Sequence, residues 1–187
     1  MNKLFFKGII VVEGKSDINF LSTFLSGKFF STNGCDINDK KLNLLNKLSN
    51  TNQIIVITDP DKKGNEIRNK ISNKIDNVVN IILDKEFCKN KKKIGLAESN
   101  IEYVIGKIKE NVTLSNDEIF SFDINLTNIL QLNKKYNINV KDLISQNYDI
   151  EIPTNKTLLK ILYLFDFNLD TLEKFVEDIL NGKWKHL

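Results

Sequence analysis

Two short apolar runs of this chain each lead into acidic residues. Residues 8–12 read Gly-Ile-Ile-Val-Val and are followed by Glu13, and residues 54–57 read Ile-Ile-Val-Ile and are followed closely by Asp59 and Asp61. Continuous β-branched runs of this length are typical of strands buried inside a parallel sheet. In open sheets of that kind, ligands bind beyond the carboxyl ends of the strands. The sequence therefore predicts a site of three carboxylates at one edge of a sheet.

The spacing of the two aspartates favours a bound cation over a salt-bridge network. Pro60 disfavours a helical backbone at Asp59, so the chain should leave the strand in an extended conformation. Residues two apart in an extended segment face the same side, so both carboxylates can point together. Two such acids repel each other unless a cation lies between them or one is protonated. Because oxygen ligands favour a hard ion, we predict Mg²⁺, for which Mn²⁺ could substitute.

Four neighbouring residues are predicted to support this site. Gly14 should let the chain turn sharply and keep space open beside the Glu13 carboxylate. Asp17 should project from the first turn of the next helix, either toward the acids or only as a complement to the helix dipole. Gly64 should permit a tight turn into a helix. Arg68, the single arginine of the chain, is either a fork suited to phosphate or a solvated helix residue.

Strand and helix patterns alternate through the first half of the chain. Strands are predicted at 8–12, 29–32, 54–57 and 78–83. Helices are predicted from Ser16 through Leu25, at 39–49, at 65–75 and near 100–110. Strands separated by helices of this length imply a mainly parallel sheet with right-handed crossovers. The predicted fold class is therefore α/β, with helices flanking the sheet.

The second half of the chain has only helical patterns. Apolar stripes at 158–165 and 172–180 predict two helices. The first should begin near Pro153 and Thr154, and the second should begin with a capping box of Asp170 and Glu173. A polar linker is expected around 111–118. We therefore predict an α/β domain at 1–112 and a small helical domain at 113–187.

Composition argues against several classes of protein. No apolar run reaches the roughly 18 residues that span a bilayer, and the N-terminal run has no small-residue cleavage site. We therefore expect a cytoplasmic protein without a membrane association. Cys35 and Cys88 are far apart and lack further ligands at metal-binding spacing, so reduced thiols are expected. His186, the only histidine, lies next to the C-terminal residue, which argues against a histidine-based Ser or Cys hydrolase.

The strongest basic patch is the lysine-rich segment at 85–93. It follows the strand predicted at 78–83, so it should lie at the same sheet edge as the acids. Its lysines could neutralise phosphates without reading a base sequence, although a solvated loop in a lysine-rich chain is the alternative. The residues predicted to contact nucleic acid are Lys15, Lys62, Lys63, Lys89, Lys91, Lys92 and Lys93.

The strand-end acids resemble the Toprim signature. Glu13-Gly14 with Asp59-x-Asp61 is similar to the motifs of topoisomerases, primases, OLD-type nucleases and small bacterial endonucleases. More narrowly, the chain resembles the ribonuclease M5 family of endonucleases, which mature 5S ribosomal RNA. The matching stretches are residues 10–17, 32–38 and 58–61 with Gly64, Ile67 and Arg68, then residues 94–95 and, more loosely, 154–162.

The resemblance implies a Toprim fold and an Mg²⁺-dependent endoribonuclease that cleaves structured precursor RNA, foremost the precursor of 5S rRNA. Asp59 and Asp61 would bind the metal, and Glu13 would be a further ligand or a general base. Asp17 and Arg68 would support the site. The helical domain would bind RNA or act as an accessory domain. Ribosomal protein uL18 is the protein partner that the family leads us to expect.

Three features depart from the family's usual pattern. Asn65 follows Gly64 where the family has an acid, and Leu96-Ala97-Glu98-Ser99 replaces Val-Glu-His-Ala. A Gly- and Arg-rich stretch is also missing before residue 154. These departures leave two alternatives open. One is a Toprim module that binds RNA or DNA without cutting it, and the other is a Toprim nuclease or primase-like protein that acts on DNA.

Overall fold

The structure, a computed structural model, describes residues 3–34, 37–90, 93–115 and 122–183. The chain divides into two compact units, residues 1–119 and 120–187. The sequence placed a domain boundary at 112/113, but the chain after 112 still pairs with the first unit. Ser115 forms an antiparallel bridge with Phe5 through backbone hydrogen bonds of 2.7 and 2.9 Å. The predicted linker at 116–118 lies outside the described residues.

A four-stranded parallel sheet forms the centre of the first unit. Its strands, β1 Leu4–Val12, β2 Leu25–Ser31, β3 Gln53–Ile57 and β4 Val78–Ile81, lie in the order β2-β1-β3-β4. Residues 9–12 and 54–57 are almost wholly buried, which explains why both runs are continuously apolar. The predicted mainly parallel sheet is confirmed. Val11 pairs with Val56, so the carboxyl ends of β1 and β3 lie side by side.

Helices cover the sheet of the first unit. The α-helices are α1 Lys15–Leu21, α2 Asp39–Ser49, α3 Lys62–Ser72 and α4 Ile101–Asn111. Short 3₁₀ segments lie at Lys85–Cys88 and Leu96–Glu98, and between them β5 Lys89–Asn90 and β6 Lys93–Ile94 form an antiparallel ribbon. Apolar side chains of β1, β3 and α4 pack into one core, whose members include Phe6, Ile10, Ile55, Val104 and Ile108.

Several element boundaries differ from the sequence prediction. The strands predicted at 8–12 and 29–32 begin earlier, at Leu4 and Leu25. The helix predicted through Leu25 ends at Leu21, because Leu25 begins β2 and pairs with Leu4 instead. The helix predicted at 65–75 begins at Lys62, because the Asp61 side chain caps it. The strand predicted at 78–83 ends at Ile81.

The free thiol of Cys88 is buried, and burial raises its pKa. Cys35 and His186 lie outside the described residues.

Four helices form the described part of the second unit. They are α5 Leu126–Tyr136, α6 Val140–Tyr148, α7 Asn155–Leu164 and α8 Leu169–Leu180. The rings of Tyr148, Phe167 and Phe175 contact one another, with centroid distances between 5.4 and 6.4 Å. Buried aliphatic residues of α6, α7 and α8 complete this core. The helical character predicted for this half is therefore confirmed.

The caps of the last two helices match the sequence prediction only in part. Thr154 caps α7 as predicted, because its hydroxyl accepts a 3.1 Å hydrogen bond from the Thr157 backbone. The prediction that Asp170 caps α8 is wrong. Asn168 caps it, accepting a 2.8 Å hydrogen bond from the Thr171 backbone. None of the helices within the described ranges is long and apolar enough to cross a bilayer.

Candidate active site

The structure brings the two strand-end acids into direct contact. Glu13 follows β1 and Asp59 follows β3, and Oε1 of Glu13 accepts a hydrogen bond of 2.9 Å from the backbone N–H of Asp59. The Glu13 residue is 8 % exposed. The side-by-side ends of two central strands therefore place a buried carboxylate and a half-buried carboxylate at one edge of the sheet.

Backbone N–H groups also hold the other two carboxylates of this cluster. Oδ1 of Asp59 accepts a 2.6 Å hydrogen bond from the backbone N–H of Leu96. Oδ1 of exposed Asp61 accepts a 2.7 Å bond from the backbone N–H of Gly64 and so caps α3. Each of these bonds occupies one oxygen of its carboxylate. The backbone N–H groups of Leu96 and Gly64 thus set the orientation of Asp59 and Asp61.

Burial and mutual repulsion both act on this acidic cluster. Burial raises the pKa of Glu13, and the charges of Asp59, Asp61 and Asp17 raise it further. The pKa of Asp59 is raised by burial and by Asp61, and the pKa of Asp17 by burial and by Asp59. Asp17 is 5 % exposed and accepts a 2.9 Å hydrogen bond from the Gly14 backbone. Asp17 therefore belongs to the cluster in addition to lying in the first turn of α1.

The donor set of the cluster fits a hard divalent cation. Among the residues that the structure describes, no three His, Cys, Asp or Glu side chains lie close enough to hold a metal ion by themselves. Mg²⁺, however, usually binds through one or two carboxylates and keeps waters or substrate phosphates as its other ligands. A cation would also offset the burial and, to a smaller extent, the mutual repulsion that raise these pKa values. One or two of Glu13, Asp59 and Asp61 could hold such an ion together with water or phosphate oxygens.

Two glycines approach this cluster closely, and the approach at Gly64 leaves no room for any side chain. A Cβ atom on Gly64 would lie 2.1 Å from the carbonyl oxygen of Asp59 and 3.0 Å from Oε1 of Glu13. A Cβ atom on Gly95 would lie 3.2 Å from Oδ1 of Asp59. The sequence assigned Gly64 to a tight turn, but it lies inside the first turn of α3 and its role is to leave room.

Gly14 does not have the role that the sequence predicted. Its backbone is extended, at φ −147° and ψ −176°, which any residue can adopt. An added Cβ would meet its nearest atoms at 3.8 and 3.9 Å, which is ordinary contact. The chain does bend at Glu13 and Gly14, between β1 and α1, but neither this bend nor the space beside Glu13 requires a glycine.

Arg68 supports the site from inside the protein. The residue is 7 % exposed, and its guanidinium donates hydrogen bonds to Oγ1 of Thr58 and, at 3.3 Å, to the carbonyl oxygen of Asp59. The Thr58 hydroxyl in turn donates a 3.1 Å bond to the Gly64 carbonyl. The side chain thus joins the end of β3 to α3. It is not the solvated helix residue that was one of the two predictions for it.

The structure describes only some of the lysines that the sequence predicted to contact nucleic acid. Lys15, Lys62 and Lys89 are exposed, and the ammonium of Lys62 lies 3.9 Å from Glu66. Lys63 donates a hydrogen bond to the Gly34 carbonyl, and its charge lowers the pKa of Asp59, against the larger effect of burial. Lys91 and Lys92 lie outside the described residues, and Lys93 is described only as part of β6.

Sequence reasoning missed several groups that hold Glu13 and Asp59 in place. The Gly34 N–H and the Thr32 hydroxyl both donate to the Glu13 carbonyl, at 2.6 and 3.3 Å. Asn33 and Gly34 both have positive φ, at 67° and 66°. The dipeptide Asn-Gly predicts this turn from the sequence, but it does not predict the contact with Glu13. The roles of Thr58 and of the Leu96 N–H depend on tertiary contacts and left no such signal.

Comparison with known proteins identifies the family. The model of the Toprim domain matches residues 8–98. Ribonuclease M5 of Mesoplasma florum is 34 % identical over 180 residues, which cover 90 % of this chain and 97 % of the relative. Ribonuclease M5 of Mycoplasma mycoides subsp. mycoides is 32 % identical over 188 residues, which cover 94 % and 99 %. Ribonuclease M5 of Staphylococcus aureus is 28 % identical over 173 residues, which cover 90 % and 96 %.

A solved structure of a small TOPRIM domain protein from Bacillus stearothermophilus is also similar, with a TM-score of 0.48 and 20 % identity over 56 % of this chain and 87 % of that one. The family assignment depends on the longer matches, which extend through both units of the chain. The chain therefore belongs to the ribonuclease M5 family and carries its Toprim domain in the first unit.

Proposed function

We propose that this protein is a divalent-metal-dependent endoribonuclease that cleaves structured precursor RNA, and that the precursor of 5S rRNA is its natural substrate. Membership in the ribonuclease M5 family supports an RNA-cleaving activity. The observation that carries the proposed active site is the 2.9 Å hydrogen bond between Glu13 and the Asp59 backbone. It fixes two acids at the ends of adjacent parallel strands, where α/β proteins bind their ligands.

Asp59 and Asp61 would hold the metal ion, with Glu13 as a further ligand or as a general base. When bound, Mg²⁺ or Mn²⁺ would supply an activated water and would neutralise charge on the scissile phosphate. The oxygen-only donor set supports Mg²⁺. The raised pKa values of Glu13 and Asp59 support a cation at this position, because they measure how poorly the cluster tolerates its own negative charge.

The protein's own groups would orient the reaction and move a proton. As a general base, a buried Glu13 with a raised pKa would accept a proton from water more readily than an ordinary carboxylate. Arg68 would keep the Asp59 backbone in place through the bond to its carbonyl. Asp17 would add negative charge beside the metal ligands.

Exposed lysines near the cluster would hold the RNA backbone. Lys15, Lys62, Lys63 and Lys89 can each contact a phosphate, and such contacts position RNA without reading its sequence. Lys91, Lys92 and Lys93 extend this proposed set along the same segment. The helical unit would bind RNA or act as an accessory domain. Ribosomal protein uL18 is the proposed partner, which would shape the RNA for cleavage.

The test is cleavage of 5S precursor RNA with and without Mg²⁺ and uL18, with the ends of the fragments mapped. Asp59→Asn and Asp61→Asn should each lower the cleavage rate by about 100-fold or more, since each removes a charged ligand. Asp76→Asn, which changes an exposed acid outside the cluster, should cleave as the wild type does. Unchanged cleavage by both Asp59→Asn and Asp61→Asn would overturn the proposed site.

Two further outcomes would point to the alternatives. Salt-sensitive RNA binding with no product at any Mg²⁺ or Mn²⁺ concentration would indicate a Toprim module that does not cut. Faster cleavage of DNA than of the precursor RNA would indicate a DNA nuclease. Both outcomes would contradict the proposed function.

A further inference from the structure

We propose that Phe87 and Tyr103 form a platform on which an unpaired base of the RNA substrate stacks, close to the scissile phosphate. The proposal rests on the proposed function, because it assigns a binding site for the same substrate. It adds a contact to a base where the lysines described above contact only the backbone.

The geometry of the two rings suits a stacking platform. Their centroids lie 4.5 Å apart and their planes are inclined by 19°, so they are stacked. Phe87 is 53 % exposed although it is a large apolar residue. Since one face of its ring packs on Tyr103, the opposite face is the one open to solvent. An aromatic face presented in this way can accept any base, because every base has a π face.

Hydrogen bonds to Asp84 hold Tyr103, one of the two rings of the platform, in place. The Tyr103 hydroxyl donates a 2.8 Å hydrogen bond to Oδ2 of Asp84 and accepts a 2.7 Å bond from the Asp84 backbone. The ammonium of Lys107 lies 5.8 Å from the centre of the Tyr103 ring. A ring fixed before binding loses little conformational entropy when a base stacks on the assembly. Tyr103 therefore needs no further ordering when a base binds to the pair.

Backbone hydrogen bonds connect the platform to the acidic cluster. Phe87 precedes Cys88, whose carbonyl accepts a 2.9 Å hydrogen bond from the Gly95 backbone. The next residue, Leu96, donates to the Asp59 carboxylate. The backbone of Phe87 therefore lies on the order of 10 Å from Asp59, given the usual spacings along and between extended segments. A base bound at Phe87 would belong to a nucleotide near the cut.

The aromatic pair and the lysines beside it favour RNA as the occupant. Lys85 and Lys89 lie on either side of Phe87 in the sequence and are exposed. Two exposed acids lie in the same stretch: Asp84, which is engaged by Tyr103 and Lys107, and Glu86. An aromatic face flanked by lysines is the usual arrangement for binding unpaired nucleotides, because the cations hold the phosphates of the stacked base. The exposed aliphatic residues of the same region, Ile82 and Ile94, would suit a protein partner. The stacked ring pair favours a base.

The test uses 5S precursor RNA with 2-aminopurine at single unpaired positions beside the mapped cut site, in EDTA so that no cleavage occurs. Wild-type protein should change the fluorescence at one position by stacking on it. Phe87→Ala should abolish that change and weaken binding about tenfold. Phe87→Leu, which keeps an apolar side chain on Tyr103 but has no π face, should behave like Phe87→Ala. Phe87→Trp should restore both signals.

Two controls separate stacking from other effects. Ile82→Ala removes an exposed aliphatic residue of the same unit and should leave fluorescence and binding unchanged. The salt dependence of binding should also be equal in wild type and Phe87→Ala, since a stacked base releases no counterions. Thermal unfolding of Phe87→Leu, matched to that of the wild type, shows that a loss of signal does not come from misfolding.

Failure of this proposal differs from failure of the proposed function. If wild-type protein cleaves the precursor, while Phe87→Ala binds the RNA and changes its fluorescence as wild type does, the platform is overturned and the nuclease stands. If Phe87→Ala loses affinity for uL18 but not for RNA, the surface is a protein contact and the platform is again overturned. If wild-type protein neither binds nor cleaves the precursor, the proposed function fails as well.

Discussion

The backbone N–H of Asp59 donates a hydrogen bond to the side chain of Glu13, 46 residues earlier in the chain. This bond joins the ends of β1 and β3 at the place where the two apolar strands stop. It also places a negative charge in a largely buried position beside a second acid. The fold therefore holds these carboxylates close together although their ionised forms are disfavoured there, and their pKa values are raised.

Substituting Gly64 should disrupt the cluster, because an added methyl group has no room. Gly64→Ala would place Cβ 2.1 Å from the Asp59 carbonyl and should lower the free energy of unfolding by about 3 kcal/mol. Gly106→Ala is a matched control, since Gly106 lies inside α4 with no atom within 4 Å of the added Cβ. It should stabilise the protein by about 0.8 kcal/mol. Urea unfolding measures both, and equal stability of the two variants would contradict the described packing.

The metal-free protein should become less stable as the pH rises above the ordinary carboxyl values. The pKa of Glu13 is raised from 4.5, and those of Asp17 and Asp59 from 3.8. Between these values and the raised ones, the folded protein binds more protons than the unfolded chain does. The free energy of unfolding therefore falls through that window and levels off above it.

The variant Glu13→Gln isolates one part of this pH dependence. Because glutamine stays neutral but keeps an oxygen for the Asp59 N–H, the decrease in stability with pH should be smaller than in wild type. Urea unfolding in EDTA, from about pH 4 to about pH 7, measures the difference. Glu102→Gln, at an exposed position on α4, should follow the wild-type curve. Parallel curves for wild type and Glu13→Gln would show that ionisation of Glu13 does not contribute to this decrease in stability.

Divalent metal should stabilise the folded protein without any RNA present. At a Mg²⁺ concentration 100 times the dissociation constant, the free energy of unfolding should rise by about 2.7 kcal/mol. The melting temperature of wild type should rise accordingly, while that of Asp59→Asn should not respond. Asp76→Asn should respond as wild type does. An equal increase in Asp59→Asn would place the bound ion elsewhere on the protein.

Arg68 should act as a positioning residue and not as a phosphate contact. Arg68→Met would leave the buried Thr58 hydroxyl and the Asp59 carbonyl without their donor, which should cost about 2 kcal/mol of stability. The value of kcat should fall, while KM and the salt dependence of RNA binding stay unchanged. Lys62→Met, at an exposed lysine, should instead reduce the salt dependence by about one counterion. A reduced salt dependence in Arg68→Met would indicate a phosphate contact.

The sheet and the acidic cluster could be predicted because local patterns specify them. Continuous apolar runs identified the buried strands, and the strand ends are where a parallel sheet brings its functional residues together. The helical spacing that continues through Phe24 and Leu25 gave a wrong C-terminal end for α1. Residues packed against the same core can continue a helical spacing by chance after the helix has ended, and the strand β2 uses Leu25 in that way.

The parts that could not be predicted depend on distant segments. The inward orientation of Arg68 requires the end of β3 to lie beside α3, and no pattern around residue 68 encodes that contact. Gly64 is needed because of the Asp59 backbone, and Gly95 lies close to the Asp59 carboxylate; only the folded chain brings these groups together. The cap of α8 was misjudged because Asn168 and Asp170 are both good capping residues, and only the entry of the chain decides between them.

The bond from the Leu96 backbone to Asp59 has a consequence for the synthesis of the protein. The acids of the cluster are encoded by residue 61, but the group that orients Asp59 is translated only when residue 96 has been added. A nascent chain that has released β1 and β3 from the ribosome would carry the acids without their final arrangement. We therefore expect that a chain released only as far as β3 lacks the orientation of Asp59 that the complete sheet edge provides.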